Sequence, residues 1–109
     1  MKSRITEKFE TLREKQEKPL ITYITAGDPD LATTHQLVLE MERAGADIIE
    51  LGIPYSDPLA DGPVIQRASQ RALEAGANID SIFKLVENLR KETKIPLAFL
   101  VYFNCVFKY

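Results

Sequence analysis

"ELGIPYSDPLADGPVIQ", residues 50–66, holds three prolines, two glycines and three acidic side chains in seventeen positions. The run that leads into it, "ADIIELG" at 46–52, is short, apolar and β-branched, which predicts a strand. Behind it, Val64, Ile65, Ala68, Ala72 and Leu73 recur at helical spacing and predict a helix over 63–75 with that face buried. Strand, stiff acidic loop and helix in this order make one βα step of a parallel sheet. Alternation along the strand puts Ile48, Glu50 and Gly52 on one face and Ile49 and Leu51 on the other. An ionised carboxylate on such an apolar face is costly unless paired or protonated, which marks Glu50 as a candidate to give and take protons. Gly52 leaves room for a ligand beside it. Pro54, Pro58 and Pro63 restrict the loop, so Asp61 is expected to be held in place. The same spacing also fits a purely structural reading, with Glu50 in a salt bridge at a strand end and Asp57 and Asp61 as turn or cap residues.

Working outward, "PLITYITA" (19–26) predicts a first strand. "GDPD" follows as a turn that places Pro29 in the first turn of a helix running from Leu31 to Ala44. A further helix begins near Asp80, with Ile82, Phe83, Leu85, Val86 and Leu89 at spacings of three and four, and "IPLAFLVYF" (95–103) predicts a third strand. Ile5, Phe9 and Leu12 predict a short amphipathic helix over 3–15, a lid or plug. Strands separated by helices imply parallel pairing, in a doubly wound sheet or in a barrel, and both architectures place ligands at the carboxyl ends of their strands. Neither phosphate-binding fingerprint, G-x-G-x-x-G or G-x-x-x-x-G-K-[ST], occurs in the chain. No internal domain boundary is visible.

Composition narrows the function classes. The 109 residues carry a net charge of −2 and a pI of about 5.4, with Lys and Arg scattered among acids, so no basic patch invites nucleic acid. No apolar run reaches the roughly 18 residues of a membrane span, and "MKSRITEKFE" lacks the apolar core of a secretory signal, which makes the cytoplasm the expected location. The single cysteine, Cys105, and the single histidine, His35, supply no metal cage. Cys105 is expected as a packed thiol and His35 as a surface residue.

Three blocks, "LITYITAGDPD", "AGADIIELGIPYSDPLADGPVIQRAS" and "IPLAFLVYFNCVFKY", closely resemble in order and spacing the tryptophan synthase α subunit family. The resemblance implies a (β/α)8 TIM barrel, of which this chain would be the amino-terminal helix and first three parallel strands, residues 1–109 forming the N-terminal portion of a single barrel domain. It implies a lyase that cleaves indole-3-glycerol phosphate to indole and glyceraldehyde 3-phosphate without metal or organic cofactor of its own. Matched position by position, it makes Glu50 the principal acid/base and Asp61 the second catalytic residue, with Tyr23, Leu100 and Tyr102 as walls of the indole pocket. It further implies docking on a pyridoxal-phosphate β subunit in an α2β2 complex, with Asp57, Pro58 and Asn104 at the contact.

A barrel of this kind takes about 250 residues and commonly holds phosphate in its last loops, so the chain is expected to be incomplete and inactive by itself. The alternative is a noncatalytic piece that only docks on a β subunit or on a complementary barrel fragment.

Overall fold

The computed structural model describes residues 3–55 and 62–101. Its elements run α1 (Arg4–Glu14), β1 (Ile21–Thr25), α2 (Leu31–Arg43), β2 (Ile48–Gly52), α3 (Pro63–Glu74), α4 (Ile79–Leu89) and β3 (Leu97–Leu100). The helices start where side chains replace the missing backbone partners of a first turn. Ser3 Oγ accepts from the Thr6 N–H at 3.1 Å, and Asp30 Oδ1 accepts from the Thr33 N–H at 2.7 Å. The latter bond holds the Asp30 carboxyl below its ordinary range. Pro29 therefore stands before the cap of α2 and not in its first turn. Ahead of α4, Asn78 Oδ1 accepts from the Ser81 N–H at 2.8 Å while Ser81 Oγ accepts from the Asn78 N–H at 2.9 Å, a reciprocal cap. Asn78→Ala is expected to cost about 1 kcal/mol, measurable as a lower urea midpoint at unchanged slope.

The sheet order is β1-β2-β3, all parallel. The register aligns Tyr23 with Glu50 and Glu50 with Ala98, then Thr25 with Gly52 and Gly52 with Leu100. Aligned residues of parallel strands share a face, so the sheet has two distinct sides. On one, Ile49 and Leu51 are wholly buried with Val38 of α2 and Ile82 and Leu89 of α4. Each such side chain contributes roughly 1.5–3 kcal/mol by leaving water, and this layer is the core. The other side carries Tyr23, Thr25, Glu50, Gly52, Ala98 and Leu100.

Helix α1 lies at the amino ends of the strands. Lys8 Nζ is 4.0 Å from Asp47 Oδ1, just before β2, and Ser3, Arg4, Ile5 and Glu7 face Arg90, Lys94, Pro96 and Leu97, just before and at the start of β3, across a hollow. Of the two expected roles, lid or plug, this position fits the plug. Burial and the neighbouring Arg4 hold the Arg90 guanidinium below its ordinary value, and its NH1 is tied to the Ile95 carbonyl at 2.8 Å.

Several sequence expectations need correction. Val64 (69% exposed) and Phe83 (51%) lie outside the buried faces assigned to their helices, and Phe9 is exposed where Leu12 is buried. Phe83 instead meets the exposed Phe99 ring edge-on, at 5.6 Å between centroids. His35 is partly buried and pairs with Glu92, bridging α2 to the segment after α4. The strands are shorter than their apolar runs, because the ladder sets their ends; positions 102 and 103 of the expected third strand lie outside the described residues.

Candidate active site

The site is assembled on β1 and β2. Glu50 is partly buried, between the fully buried Ile49 and Leu51 that point into the core. Its cross-strand partner is Tyr23, so the carboxylate and the phenol ring project from adjacent strands, about 4.8 Å apart, on the same face. The Tyr23 ring leans toward the carboxyl end of the sheet and lies over Gly52. A Cβ placed on Gly52 would come within 2.0 Å of the Tyr23 hydroxyl and 2.6 Å of Cζ. The hydroxyl also approaches Thr25 Oγ1 at 3.4 Å, and Thr25 is buried. Strand β2 is held from both sides at this level. The Ala26 N–H donates to the Gly52 carbonyl at 2.9 Å, and the Ile53 N–H donates to the Leu100 carbonyl at 3.0 Å. Ile53 and Pro54 are still buried as the chain leaves the sheet.

Leu100 stands across from Gly52, one row nearer the carboxyl end than Glu50, and is 55% exposed. Three of the residues singled out from sequence, Glu50, Tyr23 and Leu100, thus share a face. Asp57, Pro58, Asp61, Tyr102 and Asn104 lie outside the described residues, as does Cys105. Gly62 is the cap residue of α3, with Pro63 in the first helical position.

Beside β1, a hollow of about 260 Å³ is bordered by Tyr23, Thr25, Asp28, Val64, Ala68 and Arg71. At its rim the Arg71 guanidinium donates twice to the Asp28 carboxylate, Nε to Oδ1 at 2.7 Å and NH2 to Oδ2 at 3.0 Å. This bond raises the Arg71 guanidinium further above its ordinary value. Strand parity puts Thr25, two positions after Tyr23, on the same face. Asp28 and Arg71 were missed from sequence, because nothing local points from Asp28 to a partner 43 residues on. Among the described residues no group of three or more His, Cys, Asp or Glu side chains is placed to hold a metal ion, and no helix is long and apolar enough to cross a membrane.

A three-strand order of β1-β2-β3 is common to the barrel and to half of a doubly wound sheet. What separates them is kinship. The family model for the tryptophan synthase alpha chain matches residues 9–109. This chain belongs to that family. The tryptophan synthase alpha chain of Alkaliphilus metalliredigens is 75% identical over all 109 residues, which correspond to 41% of that relative's length. The crystal structure of tryptophan synthase subunit alpha from Legionella pneumophila superposes with a TM-score of 0.96 at 40% identity, covering 100% of this chain and 42% of that one. A crystal structure described as the tryptophan synthase complex from Pyrococcus furiosus matches with a TM-score of 0.77 at 40% identity, over 83% of this chain and 37% of that one. The chain thus spans about two fifths of the alpha chains it matches, and its three parallel strands form part of a TIM barrel. Within that barrel the helix-covered side is the outer wall, and the side bearing Glu50 and Tyr23 faces the interior.

Proposed function

We propose that this chain supplies the acid/base end of an alpha-chain lyase in tryptophan biosynthesis, one that cleaves indole-3-glycerol phosphate to indole and glyceraldehyde 3-phosphate. The observation that carries the reading is the placement of Glu50, partly buried, as the cross-strand partner of Tyr23 on the barrel-facing side of β2 in a chain of this family. The reaction is a retro-aldol cleavage. Protonation at the ring carbon that bears the glycerol side chain turns the indole into an electron sink. Loss of the proton from the adjacent side-chain hydroxyl then lets the carbon–carbon bond break, with its electron pair returning to the ring and the hydroxyl carbon leaving as an aldehyde. One proton is given and one taken, so a single carboxyl near the bond can serve both steps. Glu50 has that role in this reading. Tyr23, with Leu100 and Tyr102, forms walls for the planar ring. Asp61, as a carboxylate, accepts from the indole N–H and stabilises the charge that develops on the ring.

The chain itself needs no metal or organic cofactor for this chemistry. Its product suits a β subunit carrying pyridoxal phosphate, in an α2β2 assembly, with Asp57, Pro58 and Asn104 at the contact and the cytoplasm as location. Residues 1–109 belong to one barrel domain whose phosphate-binding loops come from the remaining strands.

One observation favours a second, noncatalytic reading for the chain alone. Among the described residues β1 and β3 are both edges, and Ile21 on β1, Phe99 and Leu100 on β3 and Val101 just after it are exposed, as suits pairing with a complementary segment. The test is a chimera in which residues 1–109 replace the matching segment of the Alkaliphilus metalliredigens alpha chain. The chimera is expected to release indole from indole-3-glycerol phosphate, and the 109-residue chain alone to release less than about 1% as much, since substrate anchoring by its phosphate is lost. A folded chimera that releases no indole sinks the lyase reading.

A further inference from the structure

Helix α1 is lightly attached at the amino ends of the strands. Leu12 is its one buried side chain, Phe9 stays exposed, and Lys8 reaches Asp47 only at 4.0 Å. Between its first turns and the approach to β3 lies a hollow of about 650 Å³, bordered by Arg4, Ile5 and Glu7 on one side and by Arg90, Lys94 and Leu97 on the other. Three of these side chains are cations and one is an acid, which leaves the hollow two positive charges in excess. Among the described residues none of Arg4, Arg90 and Lys94 is ion-paired.

The half-buried Arg90 is built into the wall of this hollow. Its NH1 donates to the Ile95 carbonyl at 2.8 Å and approaches the Thr93 carbonyl at 3.4 Å. Both bonds use NH1, so Nε and NH2 are left out of them. The segment that supplies these carbonyls is itself fixed. The buried Thr93 donates from Oγ1 to Glu42 Oε1 at 2.5 Å and accepts there from the Ile95 N–H at 3.0 Å. Burial and the Arg4 charge depress the Arg90 guanidinium, and Glu42 offsets part of this. Two cations thus repel across the gap between α1 and β3, and an anion placed between them relieves that repulsion.

We propose that this hollow binds a phosphate group, of free phosphate or of a small phosphomonoester, through Arg4, Arg90 and Lys94, and that the bound anion seats α1 on the approach to β3. A phosphate dianion matches the excess of two charges. Guanidinium groups present paired N–H donors to two phosphate oxygens, and lysine adds a mobile point charge. Ile5 and Leu97 give the hollow an apolar side, and its volume leaves room for the organic part of a monoester. The site uses none of the residues placed in the lyase reading and does not depend on it.

The experiment titrates the ¹⁵N-labelled chimera with inorganic phosphate and, separately, with glycerol 3-phosphate, at ionic strength held constant with sodium chloride. Saturable amide shifts are expected at residues 4–7 and 90–95, with a Kd on the order of 1 mM. Arg4→Gln and Arg90→Gln are each expected to weaken binding about tenfold, since each removes a charge-assisted bond. Arg4 and Lys94 are exposed, so Arg4→Gln and Lys94→Gln keep the test open if Arg90→Gln, which also loses the tie to Ile95, fails to fold. At ten times the Kd, amide hydrogen exchange in Thr6–Leu12 should slow about tenfold in the parent and stay unchanged in Arg4→Gln. Tighter binding of glycerol 3-phosphate than of phosphate identifies an esterified ligand, and the reverse order free phosphate; either result supports the site. Shifts confined to other parts of the chimera overturn it, as expected if a carboxylate from the remaining strands fills the hollow. Shifts that chloride reproduces, or that persist in Arg4→Gln and Lys94→Gln, overturn it as well. Binding without slower exchange in α1 overturns the seating of that helix.

Discussion

Glu50→Gln in the chimera is expected to lower kcat by about 10²–10⁴-fold, the range for losing a positioned general acid/base, with KM within about threefold. Glutamine keeps the length and planar shape of the side chain, so the ring-binding surface against Tyr23 is retained while the exchangeable proton is not. Ground-state binding and transition-state stabilisation then separate, and kcat/KM falls in step with kcat. Stability should move by less than about 1 kcal/mol, because the site is only partly buried and an amide can find hydrogen bonds there. Glu50→Asp retains the acid but withdraws it by one methylene, and is expected to fall between wild type and Glu50→Gln. Steady-state indole release with a parallel urea melt decides the matter. If kcat for Glu50→Gln stays within threefold of the parent, proton transfer by this residue is ruled out and another group must carry it.

The legible part of this molecule was the part governed by backbone period. Alternation along "ADIIELG" placed Glu50 and Gly52 opposite Ile49 and Leu51, and the register keeps them so. The same rule put Tyr23 and Leu100 on matching faces of their strands, so the shared side of the sheet followed once the strands paired in parallel. Helix starts were partly legible: Pro63 opens α3 where expected, yet Asp30 caps α2 and leaves Pro29, expected in the first turn, ahead of the helix. Val64 and Phe83 mark the limit. Helical spacing shows which residues share a face, but exposure depends on whether another element arrives to cover it, and that is a property of the tertiary arrangement.

His35 and Glu92 met across 57 positions, and Asp28 and Arg71 across 43. In each pair both residues read as ordinary surface charges or turn formers, because a long-range ion pair leaves no periodic trace. The division of labour between α3 and α4 was hidden for a related reason. The sequence pattern predicts two amphipathic helices in a row, and only the packing of α3 on β1 distinguishes a helix that lies over the carboxyl end of the sheet from one that flanks it.

The strongest steric prediction concerns Gly52. Gly52→Ala is expected to destabilise the protein by about 1–3 kcal/mol, the cost of overpacking a site whose neighbour cannot simply step aside. The new methyl would meet Tyr23 at three atoms, the hydroxyl at 2.0 Å, Cζ at 2.6 Å and Cε2 at 2.9 Å, and an aromatic ring yields only by turning about χ1 and χ2. The hydroxyl then loses its approach to Thr25, and the ring leaves the place it holds over position 52. A double-mutant cycle isolates the cause. Tyr23→Phe removes the closest atom but leaves Cζ and Cε2, so Gly52→Ala should cost somewhat less in that background. Tyr23→Ala removes all three, and there the same change should be close to neutral, giving a coupling of about 1–3 kcal/mol between the two positions. In the chimera, Gly52→Ala should also raise KM for indole-3-glycerol phosphate about tenfold, since the displaced ring occupies space needed by the planar substrate. An equal stability cost in the Tyr, Phe and Ala backgrounds would mean that something other than the tyrosine requires glycine at position 52, and the ring's assigned place as a wall of the pocket would lose its support.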